Sequence, residues 1–104
     1  MTTVIRTKVF AEWLRSLRDR TGAARIEIRI DRLARGNPGD VKSVGEGVSE
    51  MRIDFGPGYR VYFARRGEEW IVILAGGDKG SQDKDIKAAL KLWSSWKDGK
   101  DGEG

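Results

Sequence analysis

The sequence contains neither cysteine nor histidine. Disulfides, zinc–thiolate sites and nucleophiles activated by an imidazole are thereby excluded. Any acid–base chemistry falls to Asp, Glu, Lys, Tyr or Arg, or to a partner. No apolar run approaches the ~20 residues that a membrane-crossing helix needs. The opening stretch, MTTVIRTKVFAEWLRSL, alternates apolar and charged residues and reads as neither a secretory core nor an anchor. A cytoplasmic protein without a membrane segment is expected. There is no internal repeat, and the two prolines, Pro38 and Pro57, both sit beside glycines in turn-like stretches.

What remains is a chain of 104 residues, 38% hydrophobic and 35% charged, the profile of one small, rather polar globular domain. Residues 1–96 are expected to form that domain, and 97–104, polar and Gly-rich, a disordered tail. The formal charge is +4. A basic surface suits a polyanion such as RNA, DNA or the ribosome, although charge alone fits an ordinary mildly basic domain equally well.

Periodicity organises the chain. Thr2 to Arg6 reads as a short strand, followed by a helix from Lys8 with Phe10, Trp13, Leu14 and Leu17 on one face. Asp19–Gly22 breaks it. A second helix runs to about Arg35, with Ala23, Ile26, Ile30 and Leu33 inward and Arg25, Arg29 and Arg32 on the other face, so the two form an αα-hairpin. Gly36 and Pro38 end it. Val41 to Val44 reads as a short extended piece. VSEMRIDF alternates, with Met51, Ile53 and Phe55 opposed to Glu50, Arg52 and Asp54. Gly56-Pro57-Gly58 suits a type II turn with Gly58 at the positive-φ position, and Tyr59 to Arg66 is the next strand. WIVILA is apolar on both faces, which predicts a central strand covered on both sides, by the last helix or by a partner. That last helix is expected to be capped by Ser81, with Ile86, Leu90 and Trp93 buried. The fold class is α+β: an antiparallel sheet with the αα-hairpin on one face and a C-terminal helix.

Strand parity places Arg60 and Tyr62 on the face away from the helical hairpin, with Arg52 beside them if the register allows. Cations and a phenol on an open sheet face suit a phosphate and a stacked base. Cross-strand ion pairs with Asp54 or Glu50 on a solvated face account for the same pattern. AGGDKGSQDKD leads from a strand into a helix N-terminus with Lys79 beside it. It matches no Walker A loop, and GEGVSE matches no dinucleotide fingerprint.

Two longer runs are more specific. GDVKSVGEGVSEMRIDFGPGYRVYF, followed by VILAGGDKGSQDKDIKAA, closely resembles the addiction-module killer proteins, the HigB-like branch of the RelE/ParE toxin superfamily, related also to phage Gp49-like proteins. The resemblance covers all but the tail. It implies a RelE/ParE-like compact sheet and the toxin of a type II toxin–antitoxin pair. The partner would be a cognate antitoxin, commonly with a helix-turn-helix domain, so that operator DNA is met only through it. RelE- and HigB-type relatives cut mRNA in the ribosome, which implies a metal-independent endoribonuclease with no cofactor. ParE-type relatives poison DNA gyrase, and a degenerate toxin that only binds its antitoxin is a third class. On this resemblance Arg60 would meet the scissile phosphate and Lys79 would be a second basic group. Tyr62, on the face of Arg60 by parity, would stack on a base or orient the attacking group. By parity and their place after the GGDK loop, Arg52, Lys84 and Lys87 would join Lys79 in gripping RNA or ribosome, the last two lying at i, i+3 away from the Ile86/Leu90/Trp93 stripe. The C-terminal tyrosine or histidine of some relatives has no counterpart here, so the resemblance assigns no general base or acid.

Overall fold

Five strands form one mixed sheet in the order β1-β5-β4-β3-β2. The computed structural model describes residues 2–97. The strands are β1 (Thr3–Arg6), β2 (Val41–Gly45), β3 (Val48–Ile53), β4 (Tyr59–Arg66) and β5 (Trp70–Asp78). β2 to β5 are an antiparallel meander, and β1 adds in parallel to the free edge of β5. The helices are α1 (Lys8–Ser16), α2 (Arg20–Ala34) and α3 (Gln82–Lys97). Lys97 is thus the last residue of α3 rather than the first of a tail. The rest of the expected tail, 98–104, lies outside the described residues. No helix among the described residues is long and apolar enough to cross a membrane.

Capping explains where the first two helices begin. The Thr7 hydroxyl accepts the Phe10 N–H at 3.1 Å and so opens α1. Asp19 accepts the Gly22 N–H at 2.8 Å and opens α2, and the same carboxylate takes the Tyr59 hydroxyl at 2.8 Å. The break between the helices is therefore also the tie between α2 and the start of β4.

The sheet has two buried faces. Phe10, Ile26, Ile30 and Leu33 of the hairpin pack on Met51, Ile53, Val61, Phe63, Ile71 and Ile73. On the other face Ala89 and Trp93 of α3 pack on Val48, Tyr62, Ala64, Val72, Leu74 and Ala75. WIVILA is covered on both sides, as its composition predicts, and α3 is the second cover. Each such aliphatic or aromatic side chain contributes roughly 1.5–3 kcal/mol by leaving water.

A β-bulge interrupts the β4–β5 pairing: Phe63 faces Ile73, but Tyr62 faces Ala75, leaving Leu74 as the extra residue. Leu74 and Ala75 consequently both face α3. The Leu74 carbonyl accepts the Thr7 hydroxyl at 2.7 Å, so one threonine serves both the helix cap and the bulge.

One turn is more elaborate than expected and one cap is corrected. Gly58 has the expected positive φ, 83°, directly after Pro57, whose ring fixes a negative φ. A second turn overlaps it: the Gly58 N–H bonds to the Phe55 carbonyl at 3.1 Å, and Gly56 has φ 59°. At the other junction Ser81 does not cap alone. Asp78 caps a short 3₁₀ turn, Lys79–Ser81, accepting the Gly80 and Ser81 N–H groups, and α3 follows directly.

Candidate functional site

The site is built where β3 and β4 end and α3 begins. Arg52 and Arg60 are direct cross-strand partners, so the expected register holds. Opposite Arg60 on the other side stands Gly77 of β5. A Cβ on Gly77 would lie 1.8 Å from an Asp85 carboxylate oxygen and 2.8 Å from the Ser81 hydroxyl. The missing side chain lets the first turn of α3 come down onto the sheet next to Arg60.

Asp40, Arg52, Ile53, Asp54, Gly58, Arg60 and Lys79 line one groove of about 390 Å³. Three of the residues singled out in the sequence, Arg52, Arg60 and Lys79, therefore converge. Arg52 donates to Asp40 at 3.0 Å in a partly exposed pair. Lys79 has its Cβ beside the Gly58 turn and is exposed. It also borders a neighbouring cleft formed by Lys79 to Lys84, so Lys84 stands beside the groove rather than in it. Lys87 is exposed on α3 and is not among the residues lining the groove.

Arg60 is not on an open face, because α3 covers it. Its side chain is 12% exposed and its Nη1 stands 3.8 Å from Oε1 of Glu50. That separation is an ion-pair contact and too long for a hydrogen bond. Glu50 is wholly buried. Its other oxygen accepts the Tyr62 hydroxyl at 3.1 Å and the Gln82 side-chain amide at 2.7 Å. Among the described residues Oε1 of Glu50, Nε of Arg60 and Nε of Arg52 have no hydrogen-bond partner.

Tyr62 is likewise corrected. It is fully buried beneath α3, and burial, followed by the Glu50 carboxylate, pushes its phenol pKa up. A side chain so enclosed cannot stack on a base, and its hydroxyl is engaged by Glu50. On the outer face of α2, Arg25 lies 4.5 Å over the Phe55 ring, and Arg29 donates to the Arg52 and Pro38 carbonyls at 2.8 and 3.1 Å. Trp93 is core, as expected.

Two residues that the sequence suggests only as pairing partners belong here: Asp54, an exposed carboxylate in the groove lining, and Glu50, buried and paired with Arg60. The available signal was parity, since Glu50 shares its face with Arg52 and, by register, with Tyr62.

A two-helix layer, a sheet and a third helix define a small α+β protein with Arg52, Arg60 and Lys79 gathered in a groove at one end. The chain belongs to the family described as Phage derived protein Gp49-like (DUF891), whose model matches residues 12–94. That is a family of toxin-type proteins of the RelE/HigB kind. The chain is also similar to a Haemophilus influenzae protein described as uncharacterized, at 49% identity over 93 residues, covering 88% of this chain and 94% of that one.

Proposed function

We propose that this chain is the toxin of a type II toxin–antitoxin pair, HigB-like, which cuts mRNA on the ribosome. The observation that supports it is the convergence of Arg52, Arg60 and Lys79 on one groove. In the reaction a ribose 2′-oxygen attacks the adjacent phosphorus in line and loses its proton. The bond from phosphorus to the 5′-oxygen breaks, that oxygen gains a proton, and the products are a cyclic 2′,3′-phosphate and a 5′-OH end. The phosphorane between them carries two negative charges. Preplaced cations stabilise such charge by ~3–4 kcal/mol for each donor in a dry site. Arg60, largely shielded from water, suits that role. Lys79, which lines the same groove, would protonate the departing oxygen. Asp40 is held by Arg52, which leaves Asp54 as the groove carboxylate to take the 2′-OH proton. The ribosome supplies the alignment of the mRNA.

The antitoxin is the proposed partner. Trp70 is 41% exposed and forms a cleft with Ile5, Arg66 and Trp96, an apolar surface of the kind partners cover.

Induction of the chain in a susceptible cell, with mRNA 5′ ends mapped and DNA supercoiling assayed together, tests the reading. Codon-periodic cuts are expected. Gyrase-linked DNA breaks without such cuts would move the protein to the ParE class, and neither effect would leave a protein that only binds its antitoxin.

A further inference from the structure

Glu50 is the only buried carboxylate among the described residues, and it lies in the middle of a strand whose neighbour carries Arg60. Burying a carboxylate is costly unless it is hydrogen-bonded and paired. Its partners are asymmetric. Oε2 is saturated by Tyr62 and Gln82, whereas Oε1, with no hydrogen bond, is directed at the Arg60 guanidinium. Tyr62 is fixed by the core under α3, and Gln82 is the first residue of α3. The carboxylate is therefore clamped from the sheet and from the helix at once, and Arg60 is the one member of the network that reaches the groove.

We propose that Glu50 is a positioning residue: anchored by Tyr62 and Gln82, it holds the Arg60 guanidinium at the groove to meet a phosphodiester of RNA. The catalytic part of this inference rests on the nuclease reading above; the positioning part does not. An arginine on a flexible stem has many rotamers, and a fixed counter-charge behind it selects among them. The same negative charge lowers the local positive potential, so it opposes simple attraction of a phosphate while improving aim. Orientation and affinity should then move in opposite directions when the charge is removed. A carboxylate that merely pins α3 to the sheet would affect both in the same direction.

The test uses the full chain and Glu50→Gln, which keeps shape and acceptor capacity but removes the charge. In side-chain nitrogen NMR the Arg60 Nε–H is expected as a resolved signal in the parent. In Glu50→Gln it should collapse into the envelope of mobile arginines while the backbone spectrum is retained. An unchanged Arg60 signal would overturn the proposal. If Glu50→Gln does not fold, Gln82→Ala, which removes one anchor at the start of α3, should broaden the same signal; no broadening overturns it equally. With programmed ribosomes, single-turnover cleavage by Glu50→Gln should fall at least tenfold. Its affinity for a short single-stranded RNA should hold or rise. Parallel loss of both would make Glu50 structural and sink the inference. Absence of cleavage by the parent would refute the nuclease reading alone, and the NMR result would then decide for Glu50.

Discussion

Arg52 and Arg60 stand directly opposite each other across β3 and β4, two like charges at a position where opposite ones stabilise a sheet. Each has its own carboxylate, Asp40 at 3.0 Å for Arg52 and Glu50 at 3.8 Å for Arg60. Two acids thus hold two cations side by side, the arrangement that the proposed RNA phosphate would meet.

Arg60→Lys should therefore separate stability from function. Lysine keeps a positive charge near Glu50, so the melting temperature should stay near that of the parent. It loses the planar fork that meets two phosphate oxygens at once, and growth inhibition should fall sharply. Arg60→Ala is the harsher change, because the side chain is largely buried and Glu50 would lose its counter-charge, at a cost of about 1–3 kcal/mol. Thermal melts and growth curves on both variants check this. A fully toxic Arg60→Lys would mean that a point charge suffices there.

Much of the fold was legible because its signals are local. The stripe of Phe10, Trp13, Leu14 and Leu17, the alternation of VSEMRIDF and the two-faced WIVILA each encode an element by period. Hidden in the sequence was anything that depends on how elements meet. Alternation marks Glu50, Arg60 and Tyr62 as one face but cannot say that α3 will lie on it, so a buried network read as a solvated surface. The Leu74 bulge is similarly silent, since an apolar residue suits either face. Parity and the resemblance agree on Arg60, whereas parity alone points to Arg52 and the resemblance to Lys79. Lys84 and Lys87, spaced away from the Ile86/Leu90/Trp93 stripe, are exposed on α3 as that spacing predicts, but neither lines the groove itself.

The glycine at position 77 supplies a second prediction. Gly77→Ala would push a methyl group into the Asp85 carboxylate and Ser81 hydroxyl, forcing the start of α3 off the sheet. Overpacking of this kind costs typically 1–3 kcal/mol. It would also shift Lys79 and Gln82, which flank that turn. A folded but destabilised protein with little growth inhibition is expected from melting and induction assays, and unimpaired toxicity would show that the α3 junction does not set the groove.

The Asp19–Tyr59 tie should appear in the pH dependence of stability. Hydrogen bonds from the Gly22 N–H and from Tyr59 hold the Asp19 carboxyl below its ordinary 3.8. Its stabilisation is thus complete above that value and is lost as pH falls through the lowered folded-state pKa. Tyr59 behaves oppositely: burial, aided by Asp19, raises its phenol from 10.0 to about 12. That contribution is complete below 10.0 and fades as pH climbs through about 12. Melting temperatures across pH should fall at both ends. Asp19→Ala should flatten the acid limb and Tyr59→Phe the alkaline one. Unaltered limbs in these variants would assign the pH dependence to other groups, such as Glu27, which Arg6 also holds low.

Salt dependence locates the grip on nucleic acid. Each phosphate neutralised on a single strand contributes a slope of about −0.7 in log affinity against log salt. Lys79 borders both the Arg60 groove and the cleft leading to Lys84, so a strand leaving the groove toward α3 passes both lysines. Lys79→Glu and Lys84→Glu should each weaken binding of a short RNA and flatten its salt slope. Lys87→Glu, farther along the exposed side of α3, should do less. The fair control on the other face is Arg25→Glu with Arg32→Glu, since Arg29 holds backbone carbonyls and its reversal would disturb the fold. Arg25 and Arg32 line another cleft beside Ile28, on the α2 side, which meets the Arg60 groove at Ile53 and Asp54. Reversing them should leave the slope near that of the parent. If that pair flattens it more than Lys79→Glu does, RNA binds across α2, and the groove at Arg60 is not its principal seat.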